Sequence, residues 1–231
     1  MANELFHFGK YLINEGCLSW LRDTVRAMLI DTAVDTPGPA TDHAFSDLLA
    51  GSRVGDSGGS SQASMPSLAS KTNSVVGGYS VLDAADTVFT TVPVGAPLNR
   101  LLLFKECLPE VGATEGVTFG APSGGVQTVT VTSALLAVTH ERGLLRLPAG
   151  TQNVGNTGDF LIVKWISTTQ VQILNPGGVA EGPIAGVVWS TQAPLLALYN
   201  TAPDTVGLPV TPNGGNISVA WDNGANKIWR M

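Results

Sequence analysis

The sharpest chemical suggestion in the chain is five adjacent residues, Gly55-Asp56-Ser57-Gly58-Gly59. A serine set among glycines lets backbone amides converge on an oxyanion, and with a histidine and an aspartate it becomes a nucleophile for acyl transfer. The histidine has to come from upstream, where only His7 and His43 precede Ser57. The stretch before Ser57 is too short to build the barrel that such partners need. The string also heads a Ser/Gly-rich segment, 55–70, where it can arise by composition alone. No protease activity is expected.

The remaining chemical candidates have plainer readings. His43 with Asp42 and Asp47 could form a metal cluster or a general base. The plainer reading is a turn, with Asp42 capping a short helix and Asp47 solvated. His140-Glu141-Arg142 lies between apolar segments and reads as a charged hairpin tip, and no His-x-x-x-His occurs to suggest a transition metal. Asp83 and Asp86 share one turn, but two carboxylates are too few for calcium and suit turn formation. Paired acids for glycoside hydrolysis would come from Glu106, Glu110, Glu115, Glu141 or Glu181, and no spacing selects a pair. Of the tryptophans 20, 165, 189, 221 and 229, Trp165 and Trp189 could stack on a sugar, although core packing is the stronger reading. Asn216-Ile217-Ser218 fits a glycosylation sequon only by coincidence, since it falls in an expected strand. The expectation is no catalytic, cofactor-binding or metal residue, no cofactor, and no enzyme.

Composition bounds what can surround these residues. The chain has 231 residues, 44% hydrophobic and only 13% charged, against a usual charged share of about 25%. That suits a globular chain of one or two domains rather than a disordered one. Its 27 glycines and 14 prolines, with many β-branched residues, point to an all-β architecture. Net charge is -6 and the 12 basic residues are scattered, so neither nucleic acid nor an anionic membrane surface is expected as a partner. Aliphatic and aromatic runs such as residues 101–104 are far short of a bilayer span, and the first residues do not read as a secretory leader. Cys17 and Cys107 cannot make a disulfide framework and are expected reduced.

The pattern of elements follows. Leu5, Phe8 and Leu12, with Phe6 and Ile13, recur at helical spacing up to a stop at Gly16. A buried strand is expected over 24–31. After the Pro37-Gly38-Pro39 break comes the helix capped by Asp42, with Phe45, Leu48 and Leu49 on one side. Segment 55–70 reads as a mobile loop with little to bury. Strands are expected over 79–82, 87–92, 98–105, 126–132, 159–166, 170–174, 194–200 and 216–222. An Asn223-Gly224 turn and a short return over 227–230 close the chain. Ala96-Pro97-Leu98 and Ala193-Pro194-Leu195 open two similar apolar strands that bracket a block with its own strands and turns. A domain inserted at a hairpin tip explains this echo, because strand ends lie close together there. The fold class is therefore mainly β, with minor helix. One antiparallel sandwich or barrel-like domain (1–107 plus 193–231) carries a short N-terminal helix, and a second β-domain (108–192) is inserted at a hairpin.

Segments at both ends of the chain carry a resemblance. They are Thr24-Val25-Arg26-Ala27-Met28-Leu29-Ile30-Asp31-Thr32, then His43-Ala44-Phe45-Ser46-Asp47-Leu48 with Arg53-Val54-Gly55, then Asp83-Ala84-Ala85-Asp86-Thr87-Val88-Phe89. The last is Gly207-Leu208-Pro209-Val210-Thr211-Pro212-Asn213-Gly214-Gly215-Asn216-Ile217-Ser218-Val219-Ala220-Trp221-Asp222. In this order they resemble a family of small tailed-bacteriophage structural proteins. Typical members run directly from the strand like 101–105 to the one like 195–200, and this chain departs by inserting a block between them. The block resembles β-rich modules of phage virion proteins. The resemblance implies a virion component assembled in the host bacterial cytoplasm, with no functional residue to carry over. Its leading form is a head decoration or cement protein that binds the major capsid protein and neighbouring copies of itself, as a homo-oligomer such as a trimer. The alternative is a tail, neck or adaptor protein whose insert binds host surface polysaccharide or another tail protein.

Overall fold

Four large apolar residues without alternation, 101–104, demand a strand covered on both faces, and the computed structural model supplies it. The structure describes residues 4–15, 17–199, 208–221 and 228–230. The chain divides into two compact units, one of Met1–Glu106 with Leu195–Met231 and one of Cys107–Pro194. The first unit opens with β1 (Glu4–Leu5), α1 (His7–Asn14), β2 (Val25–Ile30) and β3 (Arg53–Val54). It continues with β4 (Thr72–Val76), β5 (Tyr79–Asp83), β6 (Thr87–Phe89) and β7 (Arg100–Lys105). The second unit holds β8 (Gly112–Phe119), β9 (Val126–Val131), β10 (Leu144–Leu147), β11 (Gly158–Ser167), β12 (Gln170–Leu174) and β13 (Glu181–Gln192). The chain then returns through β14 (Leu195–Tyr199), β15 (Ile217–Val219) and β16 (Trp229–Arg230). The protein is mainly β, with one short N-terminal α-helix and a barrel among its sheets.

In the first unit the main sheet has the order β1-β14-β7-β2-β3, all antiparallel. β7 and β14, the two strands that echo in sequence, lie side by side, with Leu101 opposite Tyr199 and Phe104 opposite Leu195. They pair as the two arms of a hairpin do, although in sequence the second unit lies between them. Every residue of both strands is buried. The two charged ends of β7 are satisfied locally: Arg100 donates to the Pro37 carbonyl at 3.2 Å and Lys105 to that of Glu106 at 2.9 Å. α1 seats against β14 through Gly9, where a Cβ would fall 2.1 Å from the Leu196 carbonyl oxygen, while Phe6 and Leu12 are fully buried beside it. Smaller sheets, β15-β6 and β16-β5-β4, complete the unit.

Several local expectations are corrected here. Leu5 belongs to β1, paired with Ala197, and the helix begins only at His7. Asp42 does not cap a helix. Its Oδ2 accepts the Gly38 N–H at 2.6 Å and closes the proline turn. Asp47 is the capping group instead, accepting the N–H of both His43 and Ala44 at 2.8 Å. The expected helix shrinks to one 3-10 turn, Phe45–Asp47, which buries Phe45 and Leu48 and leaves Leu49 exposed. Phe45 lies against Phe104, ring centres 4.8 Å apart. Segment 55–70 is not a loose loop. Ala27 donates to the Pro66 carbonyl and Leu68 to that of Val25, stitching the segment along β2, and Met65 and Leu68 are buried. Two apolar residues suffice once the backbone is tied to a buried strand. The expected Gly16 stop and Asn223-Gly224 turn lie outside the described residues.

The second unit is a closed barrel in the order β10-β11-β12-β9-β8-β13. Alternate residues such as Val117, Val129, Val171, Ile173, Val187 and Trp189 fill it, which is why period two was legible in β9 and β12. β13 closes the ring by pairing with both β8 and β10. It bends to do so, with register shifts between Glu181 and Val187 and a positive φ of 74° at Gly186.

The helix seat gives a direct test. Gly9→Ala forces a methyl against the Leu196 backbone, where neither side yields cheaply, and is expected to cost about 1–3 kcal/mol of stability. Thermal denaturation followed by circular dichroism checks it. A Tm equal to that of the unaltered chain would mean that α1 is not seated on Leu196.

Candidate functional site

The Gly55–Gly59 string forms a single 3-10 turn, Asp56–Gly58, with Ser57 exposed at a φ of 53°. Its amides are already engaged. Ser57 N–H donates to the Thr90 carbonyl at 2.7 Å, Gly58 N–H to Gly55, and Gly59 N–H to Asp56. An oxyanion hole needs such groups convergent and available, whereas here they hold the turn shut. Asp56 Oδ1 accepts the Thr90 N–H at 2.7 Å, so the aspartate also serves as an anchor. The glycines provide room: a Cβ on Gly55 would meet the Ser64 carbonyl oxygen at 2.4 Å. The two upstream histidines sit together, ring centres 6.0 Å apart, and both stand edge-on to Phe8.

His140 corrects a further expectation. It is no hairpin tip but wholly buried. Its Nδ1 accepts the Ala137 N–H at 2.9 Å, so the ring proton belongs on Nε2, which faces the Pro109 carbonyl at 2.8 Å. The imidazole thereby clamps two irregular segments of the barrel unit. Glu141 accepts the Trp165 N–H at 2.9 Å.

The acidic residues considered for chemistry are spread over both units, and several are tied to separate tasks. Asp86 Oδ1 accepts the Trp221 N–H at 3.1 Å, and the Asp83 carbonyl accepts from Trp20 Nε1 at 3.1 Å. Glu106 pairs with Arg26, and Glu110 is exposed. Glu181 accepts hydrogen bonds from the Asn153 N–H at 2.9 Å and from the Asn156 side-chain amide. Among the described residues no three His, Cys, Asp or Glu side chains come together in a way that could hold a metal ion. Trp20, Trp189 and Trp221 are buried and Trp165 packs on the barrel core, while the Trp229 side chain lies outside the described residues. Asn216 Oδ1 accepts the Thr91 N–H at 2.9 Å, a structural use of the sequon residue. Cys17 and Cys107 are both thiols.

Two concavities in the first unit bring no reactive groups together. One, of about 210 Å³, is lined by Asp31, Gly58, Pro93, Leu98 and Pro212 among others. Its carboxylate already accepts the Ala33 N–H at 2.9 Å. The other, of about 460 Å³, is lined by Ile13, Leu18, Trp20, Leu21 and Leu82, with Arg22 and Asn73 at its polar side. Comparison with family models, with curated proteins and with solved structures finds no match.

The most developed polar constellations are two that the sequence reading did not assemble, both inside the barrel unit. Toward the β8–β9 turn, buried Gln127 donates to the Gly120 and Val179 carbonyls, and buried Asn175 donates to Gln127 Oε1 at 2.9 Å. Asn156 donates to the Val179 carbonyl at 2.8 Å and accepts the Val179 N–H at 3.0 Å. These amides satisfy main-chain groups of the segments that connect the strands. Nearer the other end, Trp189 is the largest fully buried side chain, and its indole N–H donates to Glu115 Oε1 at 2.9 Å. Glu115 also accepts the Ser133 N–H at 2.8 Å. Burial raises the pKa of Glu115, but the Ser133 and Trp189 hydrogen bonds outweigh it and hold the group below the ordinary 4.5.

That sign fixes a pH dependence. A carboxylate with a depressed folded pKa contributes stability above its unfolded value, and the contribution disappears as pH falls through the folded value. Tm is therefore expected to drop on acidification below 4.5, and Glu115→Gln is expected to flatten part of that drop. Melting curves of both chains from about pH 6 to about pH 2.5 check it. Parallel profiles would show that Glu115 is not held by these bonds.

Proposed function

We propose that this chain is a non-enzymatic structural component of a tailed-bacteriophage virion, and specifically a head decoration protein. It binds the major capsid protein lattice and neighbouring copies of itself, and so ties shell subunits together. The observation that carries the reading is the set of four ordered motif segments, read together with what their residues do. All four fall in the first unit. Asp86 from one segment accepts the main-chain N–H of Trp221 from another, and Trp221 Nε1 donates to Thr87 Oγ1 at 3.1 Å. Asp47 of a third closes its own turn. Side chains that serve shape rather than catalysis support a protein that works through its surface.

The mechanism is repeated weak contact. A low-charge β-unit meets adjacent capsid subunits, and a homo-oligomer that engages several at once gains avidity beyond any single contact. A closed ring such as a trimer matches a threefold position of the shell. The barrel unit gives each copy a further surface toward shell or neighbour.

The deciding measurement is copy number in purified particles, by quantitative mass spectrometry against the major capsid protein. Copies on the scale of the shell lattice are expected. A handful would move the protein to the tail or neck, with the barrel as a binding head, and none would overturn a virion role. Ser57→Ala is expected to leave a peptide-cleavage assay of the purified chain unchanged at background, and cleavage lost with Ser57 would overturn the non-enzymatic reading.

A further inference from the structure

β4 is the outer strand of the β16-β5-β4 sheet, and all of its residues are exposed. It joins β5 through Gly77 and Gly78, both at positive φ (58° and 84°), a two-residue hairpin turn that makes Val76 and Tyr79 a hydrogen-bonded pair. Hydrogen-bonded pairs alternate along an antiparallel ladder. Asn73 and Val75, opposite Leu82 and Ser80, therefore turn their N–H and C=O groups away from β5. The far side of β5 confirms the phase: the Leu82 carbonyl accepts the Ile228 N–H at 3.0 Å, which points Leu82 toward β16 and its neighbour Asn73 outward. Among the described residues no strand takes up these outward groups.

The usual guards on an edge are missing. Thr72-Asn73-Ser74-Val75-Val76 contains no charge and no proline, and its register against β5 is unbroken by a bulge. At the hairpin tip Val75 is 76% exposed and Tyr79 47%. We propose that β4 is a self-association edge and that its partner is β4 of a second copy, antiparallel about a two-fold axis through Ser74. In that register Asn73 faces the partner's Val75, and Val75 the partner's Asn73. Both are then hydrogen-bonded pairs, so every outward donor meets an acceptor and two three-stranded sheets become one. The self-complementary register favours a second copy as occupant. The chain carries -6, which opposes association, yet the strand brings no like charges face to face. A strand this short covers less than the ~800 Å² per partner of a free-standing dimer. The contact is therefore weak alone and effective where copies are already arrayed. This rests on the self-association part of the proposed function and adds to it a two-fold contact distinct from the contacts that would close a trimer ring, although the pairing itself needs no particle.

Sedimentation velocity on the full chain from about 10 μM to about 1 mM tests it. The sedimentation coefficient is expected to rise with concentration. Val75→Pro removes an outward N–H without touching the β4–β5 ladder, and Ser74→Lys sets like charges across the axis. Each is expected to weaken association at least tenfold with an unchanged circular dichroism spectrum. Ser74→Glu alone is expected to do the same, whereas mixing S74K with S74E restores association. A chain that stays monomeric throughout overturns the proposal, as does a dimer indifferent to both V75P and S74K. A mixture that stays monomeric overturns the Ser74 register. These outcomes are independent of particle copy number, on which the virion reading stands or falls.

Discussion

The pairing of β7 with β14 is the constraint on which the architecture turns. These strands form the buried centre of the main sheet, yet the whole barrel unit separates them in sequence. Joining chain ends across so long a flexible loop costs entropy, although the cost grows only logarithmically with length. The barrel removes much of it by its own closure. Its first and last strands are neighbours, with Gly112 opposite Ser190. Just outside them Thr191 N–H donates to the Val111 carbonyl at 2.7 Å, and Val111 N–H donates to Thr191 Oγ1 at 3.0 Å. Once the insert has folded, its ends are as close as those of a hairpin turn. The first unit can then form its central pair almost as if nothing were inserted.

The same logic separates what could be read in the sequence from what could not. β9, β12 and β7 were legible because alternation and continuous apolarity report directly on one buried face or two. β8 and β13 were not, because Gly112, Gly116, Gly182, Pro183 and Gly186 read as turn signals. In the barrel the glycines of β13 fall within the bent stretch that pairs with β8, ahead of the residues that also pair with β10. β4 was silent for the opposite reason, having no buried face to generate a pattern. Segment 55–70 misled by composition, since Met65 and Leu68 are few but are held against β2 by the main chain.

Chemistry was legible only as residue type, because availability is a tertiary property. The amides around Ser57 are engaged partly through Thr90, more than thirty residues away, and no local pattern announces that. Asp42 was expected to cap and Asp47 to be solvated, and their actual tasks depend on which backbone N–H groups the folded turn presents to each. The Gln127, Asn156 and Asn175 network was hidden because Asn beside Gly or Pro reads as turn former. Here the same amides reach across the barrel end to the Val179 and Gly155 carbonyls of the connecting segments.

Edges are where the two units differ most. A closed barrel has none, so the insert brings no new pairing liability to the molecule. In the main sheet the outer strands β1 and β3 have two residues each, and the stretch at Pro66 and Leu68 covers the rest of β2. Shortening, covering and closure are the ordinary ways of keeping a β-protein from pairing with its neighbours. β4 escapes all three, although one Lys or Pro among its five residues would have guarded it. β4 is thus a longer and less protected edge than β1 or β3, and such an edge is geometrically suited to a copy of itself.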